Sequence, residues 1–419
     1  MARIKTTHVG SLPRPKRLVE LNYQDVIDGK VDKAHFAQEL KNDVADVVRR
    51  QKEVGIDLVN DGEYGHSMAY EYDYGSWWSY IIPRLTGIEA APISQVAGQL
   101  KTRPATRKLG DFVLGSFVER RDFAKFADAY GDPRSGCNLP EMYLSHYMPT
   151  ARGKIAFRGH EQIQTDIANF KAALSAARIK QGGWMNSVGP ASCARCSNEY
   201  YESDDDLFHD VAEAMREEYK AIIDAGLTVQ LDDPAIAENW DQSKEEASVK
   251  GYRRYTMSRI EVINHALRGL PPEKIRFHLC WGSWHGPHVT DFAMKDLIDL
   301  MLKINAGAYS FEAANARHEH EWQLWDDVKL PDGKVIMPGI VTHSTNVIEH
   351  PELVAHRIER FARIVGPDNV VASTDCGLGG RVHPQIAWAK LESLAIGAEL
   401  AAKRLRASSR SRKSRKRPA

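Results

Sequence analysis

No stretch of this 419-residue chain approaches the roughly 18 to 20 consecutive apolar residues that a membrane span requires, so no spanning helix is expected. Cysteine is scarce. Cys137, Cys193, Cys196, Cys280 and Cys376 form an odd set without the density of a disulfide framework, which fits a reducing compartment. Met1 to Lys5 leads straight into a strand pattern with no apolar signal core, so a cytoplasmic location is expected. A glycine-rich phosphate loop is also missing: Gly10-Ser11-Leu12-Pro13 follows the first strand pattern and does not supply one, which counts against an open dinucleotide-binding sheet. Acidic residues are absent from Lys403 onward, where nine basic ones stand, and the remainder carries 47 basic against 56 acidic side chains. Residues 406–419 read as a disordered, solvated basic tail. No nucleic-acid motif accompanies them, so no specific nucleic-acid partner is expected.

What the chain does have is a repeated strand-helix rhythm. Arg3 to Ser11 reads as a first strand, and an amphipathic helix from about Asp32 to Val54 follows, with Phe36, Leu40 and Val44 on one face. Ile56 to Glu63 reads as strand two. Further strand runs are Trp184–Gly189, Thr228–Pro234, Ile275–Cys280, Tyr309–Glu312, Val335–Thr342 and Val370–Cys376, with helical patterns at 161–180, 204–225, 244–268, 291–303, 351–365 and 384–405 between and after them. Eight such units imply a parallel sheet closed into a (β/α)8 TIM barrel spanning residues 1–405. Residues 64–159 break the rhythm and read as a long insertion after strand 2 that covers one mouth of the barrel. Its aromatics (Tyr64, Tyr70, Tyr72, Tyr74, Trp77, Trp78 and Tyr80) are expected to pack it onto the body, and Lys108 to Val118 reads as a hairpin strand.

Polar residues gather at the carboxyl ends of these strands, where barrels carry their chemistry. His278 and Cys280 lie two apart on a strand, hence on one face, and can grip one ion. Cys376 and Glu312 end two other strand runs. Two thiolates, an imidazole and a carboxylate make a tetrahedral Zn2+ shell, and such a zinc would activate a substrate thiol. His318, Glu319 and His320 are rival ligands on what reads as a solvated helix start. His285 and His288 follow the metal strand as loop residues. Cys193 and Cys196 form a Cys-x-x-Cys pair without a thioredoxin-like setting or a second pair, and read as structural thiols.

Taken together, Thr7-His8-Val9-Gly10-Ser11, Gly62-Glu63, Gln230-Leu231-Asp232-Asp233-Pro234-Ala235, His278-Leu279-Cys280, Phe311-Glu312, Thr342-His343-Ser344 and Asp375-Cys376-Gly377-Leu378 resemble the catalytic barrel of the cobalamin-independent methionine synthase family, in the same order. The resemblance implies zinc held by His278, Cys280, Glu312 and Cys376. It further implies that Glu63 and Asp232 hold a substrate ammonium, that Ser11 holds its carboxylate and that His343 supplies a proton. One barrel instead of two, and the aromatic insertion, look closer to the single-barrel branch that includes epoxyalkane:coenzyme M transferases. The expected function is therefore zinc-dependent transfer of a methyl or alkyl group to a small-molecule thiol, homocysteine S-methyltransferase-like in the simplest case. The donor is left open among a folate, a corrinoid and an epoxide. The alternatives are epoxide-driven alkylation of coenzyme M, whose sulfonate would need arginine or lysine in place of Glu63 and Asp232, and a non-catalytic barrel with a closed, structural zinc.

Overall fold

Seven parallel strands frame the molecule in a computed structural model, which describes residues 3–25, 31–66, 80–92, 120–137, 147–243 and 248–415. In chain order the strands are β1 (Lys5–Thr6), β2 (Ile88–Pro92), β3 (Tyr147–Ala151), β4 (Trp184–Val188), β5 (Ser197–Asn198), β6 (Thr228–Asp232), β7 (Ile275–Leu279), β8 (Ala308–Phe311), β9 (Val335–Val341) and β10 (Val371–Thr374). The main sheet runs β1-β10-β9-β8-β7-β6-β4, and every neighbouring pair in it is parallel. Every residue of β4, β7, β8 and β10 is buried. That is the mark of a parallel sheet covered on both faces, and it is why these strands read as near-continuous apolar runs.

The gap between β1 and β4 is bridged by residues 56–62, where the sequence predicts strand two. This segment is not a regular strand. The amides of Asp57 and Leu58 both donate to the Thr6 carbonyl, at 3.2 and 3.0 Å, while the Val59 carbonyl accepts from Trp184 N–H at 3.1 Å. Two amides sharing one carbonyl cannot continue a ladder. Asp57 adds side-chain bonds to Thr6, and Gly62 and then Glu63 turn left-handed at φ 73° and 60°. The segment thus supplies the eighth stave through irregular bonds, and the α/β barrel reading holds.

The helices follow their caps. Asp32 accepts from the amides of Ala34 and His35 and starts the helix Lys33–Glu53, which buries Val44, Val47 and Val48. Ser203 caps Asp204–Asp224 in the same way. The helix expected over 291–303 is instead a 3-10 turn, Met294–Asp296, and a short helix, Ile298–Met301. Asp291 at its start is engaged by His288 and His318 rather than by amides of a first turn. The last helix extends from Pro384 to Arg415, ten residues beyond Leu405, through an Arg- and Ser-rich run with no glycine or proline to stop it. Among the described residues no helix is long and apolar enough to cross a membrane.

β2 and β3 of the 64–159 stretch pair antiparallel and, with β5, form a separate three-stranded sheet. Tyr64 and Tyr80 are buried, Tyr64 donating to the Pro13 carbonyl and Tyr80 stacking on His66. Tyr70, Tyr72, Tyr74, Trp77, Trp78 and the expected hairpin strand 108–118 lie outside the described residues. Residues 120–137 dock on the loops that follow β6 and β7. Buried Arg120 pairs with Glu238 and lies over the Trp284 ring, and Asp122 accepts from the amides of His288 and Val289. Tyr130 O–H donates to Asp122 and accepts from Trp284 Nε1–H.

Candidate metal centre

Alternation along β7 places Arg276 and His278 on the barrel-interior face, with Cys280 just beyond the strand end. Arg276 reaches across the barrel to Thr7 Oγ1 and the His8 carbonyl, at 3.1 and 3.0 Å, and stacks over Trp184. Burial lowers its pKa to about 9. Above it, the ligand atoms of His278, Cys280 and Cys376 lie within 4.8 Å of one another. Cys376 arrives from the end of β10, and its Sγ is 3.8 Å from that of Cys280. The Gly282 amide donates to Cys280 Sγ at 3.2 Å, in a turn that only φ of 92° at this glycine permits. His278 Nδ1 is 3.2 Å from Ser310 Oγ, and its Nε2 is buried with no hydrogen-bond partner among the described residues.

Electrostatics separate the two sulfurs. Contact with Cys280, then the His278 imidazole, holds the Cys376 thiol well below its usual range. The same contact with an ionised Cys376, plus burial, pushes Cys280 well above it. Burial alone would lower His278, but Cys376, Asp232 and Glu312 outweigh it and raise its pKa. Two sulfurs this close therefore share one proton unless a cation joins them. An imidazole nitrogen without a partner, two sulfurs and an adjacent carboxylate are the donor set of a zinc site, so the residues fit the metal that their pattern implies.

The expected fourth ligand, Glu312, follows β8 and falls in a neighbouring group with His343 and Asp375, whose ligand atoms also lie within 4.8 Å of one another. Its Oε1 accepts from the Trp281 amide, next to Cys280, at 3.1 Å, and its Oε2 from Asn315 Nδ2 at 2.7 Å. Burial raises Glu312 to about 7, with His318 opposing and Asp375 adding to the rise. His318 is buried, not solvated: it stacks on Trp281 and bonds Asp291 and Glu321. Glu319 pairs with Arg357. His343 is buried, and that burial lowers its pKa to about 3. Its Nδ1 has no hydrogen-bond partner among the described residues, and its carbonyl lies 3.2 Å from His285 Nε2. Cys193 and Cys196 are free thiols raised by burial, as inert cysteines are.

Glu63 and Asp232 come together at the same mouth, Asp232 at the end of β6 in register with His278 of β7. Burial, then the Asp232 charge, pushes the Glu63 carboxyl well above its usual range. Burial also raises Asp232 to about 6, although it accepts from Asn186 Nδ2 at 2.6 Å and Gln230 Nε2 at 2.8 Å. Arg14, buried beside Glu63, donates to the backbone carbonyls of Glu63 and His66. Ser11 is half-buried against the turn after Cys376, its carbonyl accepting from the amides of Leu378 and Gly379. The left-handed backbone of Glu63, strained for a non-glycine residue, aims this side chain at Gly10. A Cβ on Gly10 would collide with Glu63 Oε1 and press on Asn186 Nδ2 at 3.0 Å. Gly10→Ala is accordingly expected to leave the fold intact but to displace the carboxylate. If the displaced carboxylate costs the bound state about 1–3 kcal/mol, thiol binding in calorimetry weakens by about 5- to 150-fold.

The sequence reading does not single out Arg276, Asn186 or Asn315. The period-2 pattern could have found Arg276, two before His278; Asn186 and Asn315 are ordinary amides marked only by their contacts with Asp232 and Asp375, far along the chain.

The family model described as Cobalamin-independent synthase, Catalytic domain, matches residues 4–73 and 187–399, leaving 74–186 unmatched. The chain is 26% identical over 381 residues to a methionine synthase of Sulfolobus acidocaldarius, covering 90% of this chain and 86% of the relative. It is 24% identical over 407 residues to a methionine synthase of Thermococcus kodakarensis, covering 96% and 94%. Among solved structures, a B12-independent methionine synthase from a Shewanella species, in complex with selenomethionine, superposes with a TM-score of 0.64 at 20% identity. That superposition covers 97% of this chain and 100% of the other, and it is a likeness of fold.

Proposed function

Because this chain belongs to the cobalamin-independent methionine synthase family, we propose that it is a methyltransferase acting on the sulfur of an amino-acid thiol, homocysteine in the simplest case. In this reading zinc is held by His278, Cys280, Cys376 and Glu312. The observation that carries it is the convergence of His278, Cys280 and Cys376, from two strands and 96 residues of chain, at the strand-end mouth of a barrel. Zinc bound there would lower the pKa of a coordinated thiol and so supply a thiolate at neutral pH.

The protein's own residues do the rest. Glu63 and Asp232 are two carboxylates whose pKa values burial raises, and a substrate ammonium between them would favour their charged forms. Arginines near them, Arg14 and Arg276, donate to backbone carbonyls, an arrangement that favours an ammonium-bearing thiol over a sulfonate. Ser11 would hold the carboxylate of such a thiol, as the resemblance implies. The reaction forms a carbon–sulfur bond and breaks the bond from that carbon to its donor, and the departing group needs a proton. A histidine held neutral, as burial holds His343, can give that proton only after receiving one. Bulk solvent can supply it, in place of the one that the incoming thiol gives up on binding.

Calorimetric titration of zinc-loaded protein with L-homocysteine and, in parallel, coenzyme M tests the reading. Homocysteine is expected to bind with proton release. Its affinity should fall as pH drops through about 6, where Asp232 takes up a proton and stops attracting the ammonium. Binding of coenzyme M alone would transfer the assignment to epoxide chemistry. Binding of neither would leave either a structural zinc or an acceptor thiol of another kind.

A further inference from the structure

Asn315, buried three residues after Glu312, has a role in this site that its residue type does not announce. Its Oδ1 accepts from the backbone amides of Arg317 and His318, at 3.0 and 3.1 Å, which fixes the orientation of the amide group. Nδ2 must then face the other way, and both of its hydrogens meet carboxylates: Glu312 Oε2 at 2.7 Å and Asp375 Oδ2 at 3.2 Å. Asp375 precedes Cys376, and its other oxygen accepts from the amides of Ala313 and Ala314, at 2.7 and 2.8 Å. The loop after β8 and the end of β10 are thereby tied into one unit. Two buried carboxylates this close repel each other unless a donor stands between them, and the Asn315 amide stands there.

We infer that Asn315 is a positioning residue that sets where the Glu312 carboxylate stands relative to Cys280 and Cys376. Asn315 holds Oε2 and the Trp281 amide holds Oε1, so the Glu312 carboxylate is already oriented for the metal it would help to hold. The inference rests on the zinc reading proposed above and deepens it.

Two substitutions separate the bridge from the local turn. Asn315→Ser keeps a short oxygen that can accept the Arg317 and His318 amides but cannot reach both carboxylates; Asn315→Ala loses the turn as well. Cobalt(II) is the probe, titrated into metal-free protein against a chelator, with the visible spectrum recorded. Both variants are expected to bind cobalt about 10- to 100-fold more weakly than wild type. Their ligand-field bands should shift, while the sulfur-to-cobalt charge-transfer band persists because the cysteines are untouched. A merely structural role would leave the bands of folded, loaded protein in place. Wild-type affinity and bands for Asn315→Ser, with loss confined to Asn315→Ala, would show that the turn matters and the bridge does not. A wild-type protein that binds no cobalt overturns the zinc reading itself, and the inference with it.

Discussion

Cys280→Ser and Cys376→Ser should each abolish turnover and release the metal. The two sulfurs lie 3.8 Å apart, Cys280 buried and Cys376 half-buried, and in contact they already divide the proton unequally. Serine offers a hydroxyl that does not ionise at neutral pH, so either substitution removes one anionic ligand outright. Losing a partner of a ligand commonly costs about 10- to 100-fold in metal affinity, and losing a ligand costs more. Metal content after dialysis and single-turnover transfer to homocysteine are the two measurements. Cys193→Ser is the control: that thiol is buried behind β4 with its pKa raised, and its loss should leave both readouts unchanged. A Cys376→Ser protein that keeps wild-type zinc and activity would falsify the assignment.

The second large effect is on stability. Arg84, in the stretch preceding β2, is buried and paired with two buried carboxylates from different helices, Asp166 at 2.6 Å and Glu218 at 3.1 Å. Tyr80 lies over the same guanidinium and donates to Glu218, and Gly159 leaves room for the arginine stem, which a Cβ there would meet at 2.7 Å. Arg84→Ala removes the cation that both carboxylates share, leaving Glu218 only the Tyr80 and Ser187 hydroxyls and Asp166 without its ion pair, and breaking such a buried pair costs about 3–5 kcal/mol. Urea denaturation at pH 7 measures it. The loss has a pH signature whose sign follows from Asp166. Burial raises its pKa and Arg84 works against that rise. Without the arginine the folded pKa goes higher still, so the penalty is fully present above that pKa and shrinks as the pH falls toward 4 and the carboxyl is neutralised. A loss under 1 kcal/mol, or one that grows in acid, would overturn the account.

Much of this molecule was legible because barrels write their pattern locally. β7 could be read as a buried strand from Ile275 to Leu279, and the two-residue spacing of His278 and Cys280 already implied a shared face. Other elements misled for equally local reasons. Ile56-Asp57-Leu58-Val59 has the composition of a strand, but Asp57 and the glycine turn at Gly62 divert its backbone bonds to Thr6 and Trp184. His318 sits in a run of charged residues and looked solvated, yet Trp281 covers it and Asp291 and Glu321 bond it from the loop after β7 and from its own turn. The 64–159 stretch could be recognised as an interruption, but its docking through Arg84, Arg120 and Asp122 depends on carboxylates and amides up to 167 residues away.

By itself the sequence determined the strand-helix alternation, the side-chain types at the strand ends and the face each strand presents, because these depend on neighbours a few residues apart. Tertiary structure alone decided that Cys376 meets Cys280 across 96 residues, that Glu63 and Asp232 share one buried mouth, and that Asn315 stands between Glu312 and Asp375. The physical reason is barrel closure. It fixes which strand ends become neighbours, and the low-dielectric interior then makes each such encounter strong enough to move a proton.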